Sequence, residues 1–106
     1  MFLDGRRDDL IITGGVNVYP LEIEIALSGF AGVDDVAVFG VDDEQWGQRV
    51  CAAIVGSATP TAVAEGAARL LAPYKRPKDV FVVAAIPRST TGKVRRSTLA
   101  FDLGIA

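Results

Sequence analysis

The sequence predicts an α+β domain: a small mixed sheet of about three strands plus an N-terminal β-hairpin, flanked by about three helices. Three observations carry this expectation. The apolar runs Val36 to Val41 and Gln48 to Val55 have strand length and strand composition, and only a short polar segment separates them. A third run, Val80 to Ile86, follows a segment that opens on Thr59-Pro60, a helix start signal. The chain has 106 residues, enough for one ordinary domain and too short for two, so residues 1–106 are read as a single unit.

The elements follow in order. Asp4 to Asp9 is a charged turn. Leu10 to Ile12 and Val16 to Tyr19 are short extended pieces around Gly14-Gly15, which reads as a hairpin. Pro20 to Phe30 is ambiguous. Leu21, Ile23, Ile25 and Leu27 alternate at strand period, yet Pro20 suits a first helical position and Glu22 and Glu24 suit the positive end of a helix dipole. Asp42 to Gly47 is a polar loop, so the runs on either side are expected to pair antiparallel. In the segment after Pro60, Val63, Ala67, Leu70 and Leu71 share one helical face, and Pro73 ends it. Tyr74 to Lys78 is a basic loop containing a proline. Pro87 to Lys93 is a polar loop, and Val94 to Leu103 is a terminal helix.

Composition excludes several functions. The chain has no histidine, so it holds no Ser-His-Asp triad, no His-assisted cysteine nucleophile and no His-ligated metal. Its single cysteine, Cys51, permits neither an internal disulfide nor a thiolate zinc cluster, and fits a reducing cytoplasmic setting. A net charge of -2 gives no electrostatic reason to bind nucleic acid or an anionic membrane. No apolar run has the roughly 18 residues of a membrane helix, so no stable membrane insertion is expected.

Several local patterns admit both a functional and a bland reading. Gly92-Lys93 is not a phosphate-binding P-loop, because Pro87 stands where the first glycine belongs and Val94 follows the lysine. Lys93 is either a solvated surface lysine or a point charge for phosphate or carboxylate. Gly14-Gly15 is either a tight turn or a close approach of backbone to a ligand. Lys75-Arg76-Pro77-Lys78, with Arg88, Lys93, Arg95 and Arg96, concentrates positive charge in the last third, while the acids lie mostly in the first half. That asymmetry suggests either a phosphate-bearing partner or a solvated loop. Trp46 is a core residue or a stacking platform, and Cys51 is a small buried hydrophobe.

Taken together, these fragments resemble one family. Gly5-Arg6-x-Asp8-Asp9-x-Ile11-Ile12-x-x-Gly15-x-Asn17-x-Tyr19-Pro20-x-Glu22-Ile23-Glu24 is similar to the signature that opens the C-terminal domain of adenylate-forming acyl-CoA synthetases. Tyr74-Lys75-x-Pro77 and Pro87-x4-Gly92-Lys93-x-x-Arg96 resemble its two later signatures, in the same order. The resemblance spans roughly residues 4 to 100 and favours helix for Leu21 to Ser28.

The resemblance implies a reaction. Such enzymes activate a carboxylic acid with ATP to an acyl-adenylate, and the thiol of coenzyme A then takes the acyl group. A larger N-terminal adenylation domain, absent from this sequence, holds ATP, Mg2+ and the acid. The opening of the chain just before the first signature is expected to mark a piece cut from a longer polypeptide. The C-terminal domain is a lid with two orientations. In the first, Lys93 reaches the nucleotide and the acid carboxylate. In the second, after rotation about a hinge at Asp8, the Gly14-Gly15-Val16 hairpin walls the pantetheine tunnel. Arg6 matches a nucleotide-contacting arginine. Trp46, Arg76, Pro77 and Lys78 match positions that contact coenzyme A. Lys93 is also a target for regulatory acetylation, which removes its charge. Other readings are a freestanding non-catalytic docking module, and an adenylation-domain fragment serving a carrier protein.

Overall fold

The computed structural model describes residues 10–92, 94 and 96–104. Strands β1 (Ile11–Thr13) and β2 (Val16–Val18) form an antiparallel hairpin with Thr13 opposite Val16. Gly14 and Gly15 make the two-residue turn with φ +58° and +80°. Both angles are positive, as in the hairpin turn whose twist matches its strands, and glycine takes them without steric cost.

Helix α1 (Pro20–Ser28) follows, with Pro20 in its first turn. Strands β3 (Asp35–Asp43) and β4 (Gly47–Val55) pair antiparallel along their whole length. Helix α2 (Pro60–Leu70) starts as the sequence indicates: the Thr59 hydroxyl oxygen accepts a hydrogen bond from the Ala62 amide at 3.1 Å. A 3-10 turn (Pro73–Lys75) leads into β5 (Asp79–Val82), which lies parallel to β4. Helix α3 (Arg96–Asp102) is the last element. The sheet order is β3-β4-β5, so β3 and β5 are its edges.

Side chains alternate across a strand, so each sheet face needs its own cover. Val36, Val38, Val50, Ala52 and Ile54 face the hairpin, α1 and α2, where they meet Ile11, Val18, Ile23, Leu27, Val63 and Ala67. Ala37, Phe39, Cys51 and Ala53 face the other way and are covered by Ile86, Val94 and Leu99. The hairpin and α3 therefore lie on opposite sides of one sheet.

Several boundaries differ from expectation. The polar loop between β3 and β4 shrinks to Glu44–Trp46, because pairing continues to Asp43 opposite Gly47. The Asp43 carboxylate accepts from the Gln45 and Trp46 amides, and Gly47 at φ +83° completes the reversal. Strand β5 stops at Val82 rather than Ile86, since Ile86 leaves the sheet to cover its second face. Helix α3 begins at Arg96 rather than Val94. Leu70 is 59% exposed although it was expected on the buried face; Val63 and Ala67 of that face are buried as expected, together with Gly66.

Cys51 is fully buried in the second face. Burial, reinforced by the nearby Asp79 carboxylate, pushes its thiol up to about 11. The folded chain thus holds this proton to higher pH than an unfolded thiol of pKa about 8.5. Stability is expected to fall as pH rises from about 8.5 towards 11. At about pH 8, iodoacetamide should leave Cys51 unmodified in the native protein and alkylate it in denaturant. Equal rates in the two states, followed by mass spectrometry, would contradict the buried position.

Candidate functional site

The hairpin turn is fastened to the β3–β4 turn. The Gly14 amide donates to the Trp46 carbonyl at 2.8 Å, and the Ile12 amide donates to the Gln48 side-chain oxygen at 2.9 Å. A Cβ on Gly14 would lie 3.2 Å from the Trp46 ring. Gly14 is therefore fixed both by its positive φ and by the indole beside it. Gly15 differs: nothing lies within 4 Å of where its Cβ would stand. Gly15 and Val16 form the exposed tip.

Trp46 is not a core residue; it is 39% exposed. The Lys78 ammonium lies over its ring, 4.6 Å from the centroid. Lys78 is held there by its own backbone, whose amide donates to the Val50 carbonyl at 2.7 Å at the entrance to β5. Gly14, Trp46 and Lys78 thus meet at one end of the molecule, although 64 positions of sequence separate the first from the last. An exposed indole beside a lysine ammonium can stack a purine and attract a phosphate.

The neighbouring residues are used differently. Pro77 is buried. The Arg76 side chain turns back to α2, where its Nε donates to the Leu71 carbonyl at 2.9 Å. Lys75 pairs with Glu22 at 2.8 Å.

Arg6, Asp8 and Lys93 lie outside the described residues, as does Arg95. The segment leading to Lys93 is described. Ser89 to Gly92 forms a turn in which the Gly92 amide donates to the Ser89 carbonyl at 2.9 Å, and Gly92 has φ +85°. Val94 packs on the second face of the sheet. Among the described residues, no group of three or more acidic or cysteine side chains is arranged to hold a metal ion, and no helix is long and apolar enough to cross a membrane.

The charge asymmetry of the sequence has an internal answer. Arg88 forms a fork with Asp35 at 2.7 and 2.9 Å, which holds the Asp35 carboxyl below the usual carboxylate range. Arg96 forms a second fork with Glu24, whose Oε2 also accepts from the Val38 amide at 2.8 Å. Arg49 pairs with Asp79 and Asp43. Arg88 and Arg96 of the last third thus meet acids of the first half. These pairs, 53 and 72 positions apart for Arg88 and Arg96, were missed in the sequence. The available signal was the charge asymmetry itself, which is equally consistent with internal pairing.

Comparison with known proteins gives a consistent result. The sequence profile of the AMP-binding enzyme C-terminal domain matches residues 22–93. A long-chain-fatty-acid–CoA ligase (FadD13) of Mycobacterium tuberculosis is 41% identical over 102 residues, covering 93% of this chain and 20% of that protein. A 2-succinylbenzoate–CoA ligase of Listeria monocytogenes is 42% identical over 104 residues, covering 93% of this chain and 22% of that protein. In the solved structure of a Mycobacterium tuberculosis fatty acyl CoA synthetase, the match has a TM-score of 0.83 at 42% identity, over 89% of this chain and 19% of that one. The chain spans about a fifth of the length of the relatives it matches.

Trp46 is the only tryptophan, so its fluorescence reports this site alone. Lys78→Ala uncovers one ring face and is expected to raise the acrylamide quenching constant of Trp46 without changing the thermal midpoint beyond a degree or so. An unchanged constant would show that Lys78 does not cover the indole in solution.

Proposed function

Because the chain belongs to the family of AMP-binding enzyme C-terminal domains, we propose that it is the mobile lid of an AMP-forming acid–CoA ligase. The whole enzyme would join a carboxylic acid to coenzyme A through an acyl-adenylate, with ATP and Mg2+ held mainly by a larger N-terminal adenylation domain. The relatives act on fatty and aromatic acids. In this reading the acid itself is chosen by that larger domain.

The observation that carries the reading is the meeting of Gly14, Trp46 and Lys78 beside an open glycine tip. Coenzyme A brings an adenine, phosphates and a thin pantetheine arm. An exposed indole suits the adenine and a lysine ammonium suits the phosphates. A hairpin tip without side chains at Gly14 and Gly15 lets backbone line a narrow channel for the thiol. Val16 stands beside that tip as an exposed apolar wall.

The adenylation step makes a different demand. A carboxylate oxygen must approach a phosphorus already surrounded by anionic oxygens, while charge moves onto pyrophosphate. A positioned cation lowers that barrier. Lys93 supplies it in this reading. A lysine ammonium of the ordinary kind is charged at neutral pH and acts as a clamp rather than as a base. Arg6 would contact the nucleotide, and Asp8 would be the hinge about which the lid exchanges one task for the other.

In the full-length enzyme, Lys93→Ala is expected to lower adenylation by about 100-fold or more while sparing thioester formation from supplied acyl-adenylate. Gly15→Leu should do the reverse. Its Cβ enters open space, so the substitution adds backbone strain of about 1–2 kcal/mol at this positive φ without a Cβ contact within 4 Å. Pyrophosphate exchange and single-turnover thioester formation measure the two steps separately. Equal loss of both steps in each variant would contradict the division of labour.

A further inference from the structure

The two arginines that flank the segment carrying Lys93 in the sequence are both tied to one strand edge, Arg96 through Glu24. Residues 89–95 are bounded by Arg88 and Arg96. Arg88 grips Asp35, the first residue of β3, and Arg96 grips Glu24 of α1. Glu24 in turn accepts the outward-facing amide of Val38 on the same edge. Asp35 and Val38 are three positions apart, about 10 Å along a strand. Glu24 is also near enough to Arg88 to raise its pKa, so the four charges form one row.

The Glu24–Arg96 pair is the most enclosed of these contacts. Its side chains are 12% and 15% exposed, against 33% and 38% for Asp35 and Arg88. It also reaches around the sheet. Glu24 belongs to the layer on the first face and Arg96 to the helix on the second. An enclosed fork of this kind fixes both distance and orientation, which a lone surface lysine cannot do for itself.

We propose that Glu24 and Arg96 are positioning residues for the adenylation lysine: the fork sets where the chain resumes after Gly92, and so where Lys93 is delivered. The proposal rests on the reading of Lys93 given above. Neither residue touches substrate in it. Their effect is to remove freedom from a short polar loop whose one task is to place a long, flexible side chain.

The experiment uses the full-length ligase with Arg96→Ala, Arg96→Lys, Glu24→Gln and, in parallel, Lys93→Ala. Adenylation is read by pyrophosphate exchange and thioester formation from supplied acyl-adenylate, with kcat, KM and thermal midpoint for each. Arg96→Ala is expected to lower the kcat of adenylation by about 10- to 100-fold, with the KM for ATP and the thioester step within about twofold. Arg96→Lys should recover only part of the loss, because an ammonium cannot reproduce the fork. Glu24→Gln should fall between, since its amide oxygen still accepts from Val38 while the charge is gone. If Arg96→Ala does not accumulate as folded protein, Glu24→Gln decides by the same ratio of the two steps. Adenylation unchanged in both Arg96→Ala and Glu24→Gln, with Lys93→Ala inactive, would overturn the positioning role alone. Equal loss of both steps would reduce the pair to general support of the fold and overturn it too. Adenylation retained by Lys93→Ala would instead remove the reading of the lysine on which the proposal stands.

Discussion

The constraint on which this domain depends is a sheet that is apolar on both faces. Strands β3 and β4 pair over nine positions, and the apolar residues at the centre of that ladder are almost all buried. Such a sheet is stable only with a cover on each side. The chain supplies one from its first third and α2, and the other from its end. The hairpin strands therefore pack on one face through Ile11 and Val18, and Ile86, Val94 and Leu99 pack on the other. In the proposed reading the glycine tip and Lys93 act in different steps, a division that calls for a lid that turns rather than for a single docking geometry.

The edge of β3 resolves a second demand. An exposed strand edge leaves backbone amides without partners and invites unwanted pairing. Glu24 answers one of those amides at Val38 and at the same time pairs with Arg96. Arg88 and Asp35 close the start of the strand. Among the described residues, Lys75, Arg88 and Arg96, which look in the sequence as if they await a phosphate, are committed here to acids of the same chain. Lys78 stands apart from this row, at the other end of the sheet, with the face of Trp46 as its neighbour.

Much of the architecture was legible because its signals are local. The Gly14-Gly15 hairpin, the Thr59-Pro60 cap and the two long strands each follow from a few adjacent residues. Helix α1 was ambiguous for a physical reason. Ile23 and Leu27 form a buried stripe and Leu21 and Ile25 an exposed one, and two stripes on opposite sides of a helix alternate as a strand does. The length of the β3–β4 turn was misjudged because Asp42 and Asp43 are polar yet paired. Of the site, Trp46 and Lys78 were identified by family resemblance, and nothing in their spacing foretold that one would cover the other. The forks at Arg88 and Arg96 join residues more than 50 positions apart, a distance at which charge alone names many partners and geometry chooses one.

The central claim is that one rigid domain serves two chemical steps by turning between them. The most direct measurement is a spin-label distance in the full-length ligase, from a label at Ala68→Cys on exposed α2 to one fixed on the larger domain; buried Cys51 stays silent. With ATP and the acid, one distance should dominate. With acyl-adenylate and coenzyme A, the population should move to a second distance, differing by on the order of 10 Å or more. A single distance, unchanged between the two conditions while both steps proceed, would contradict the account.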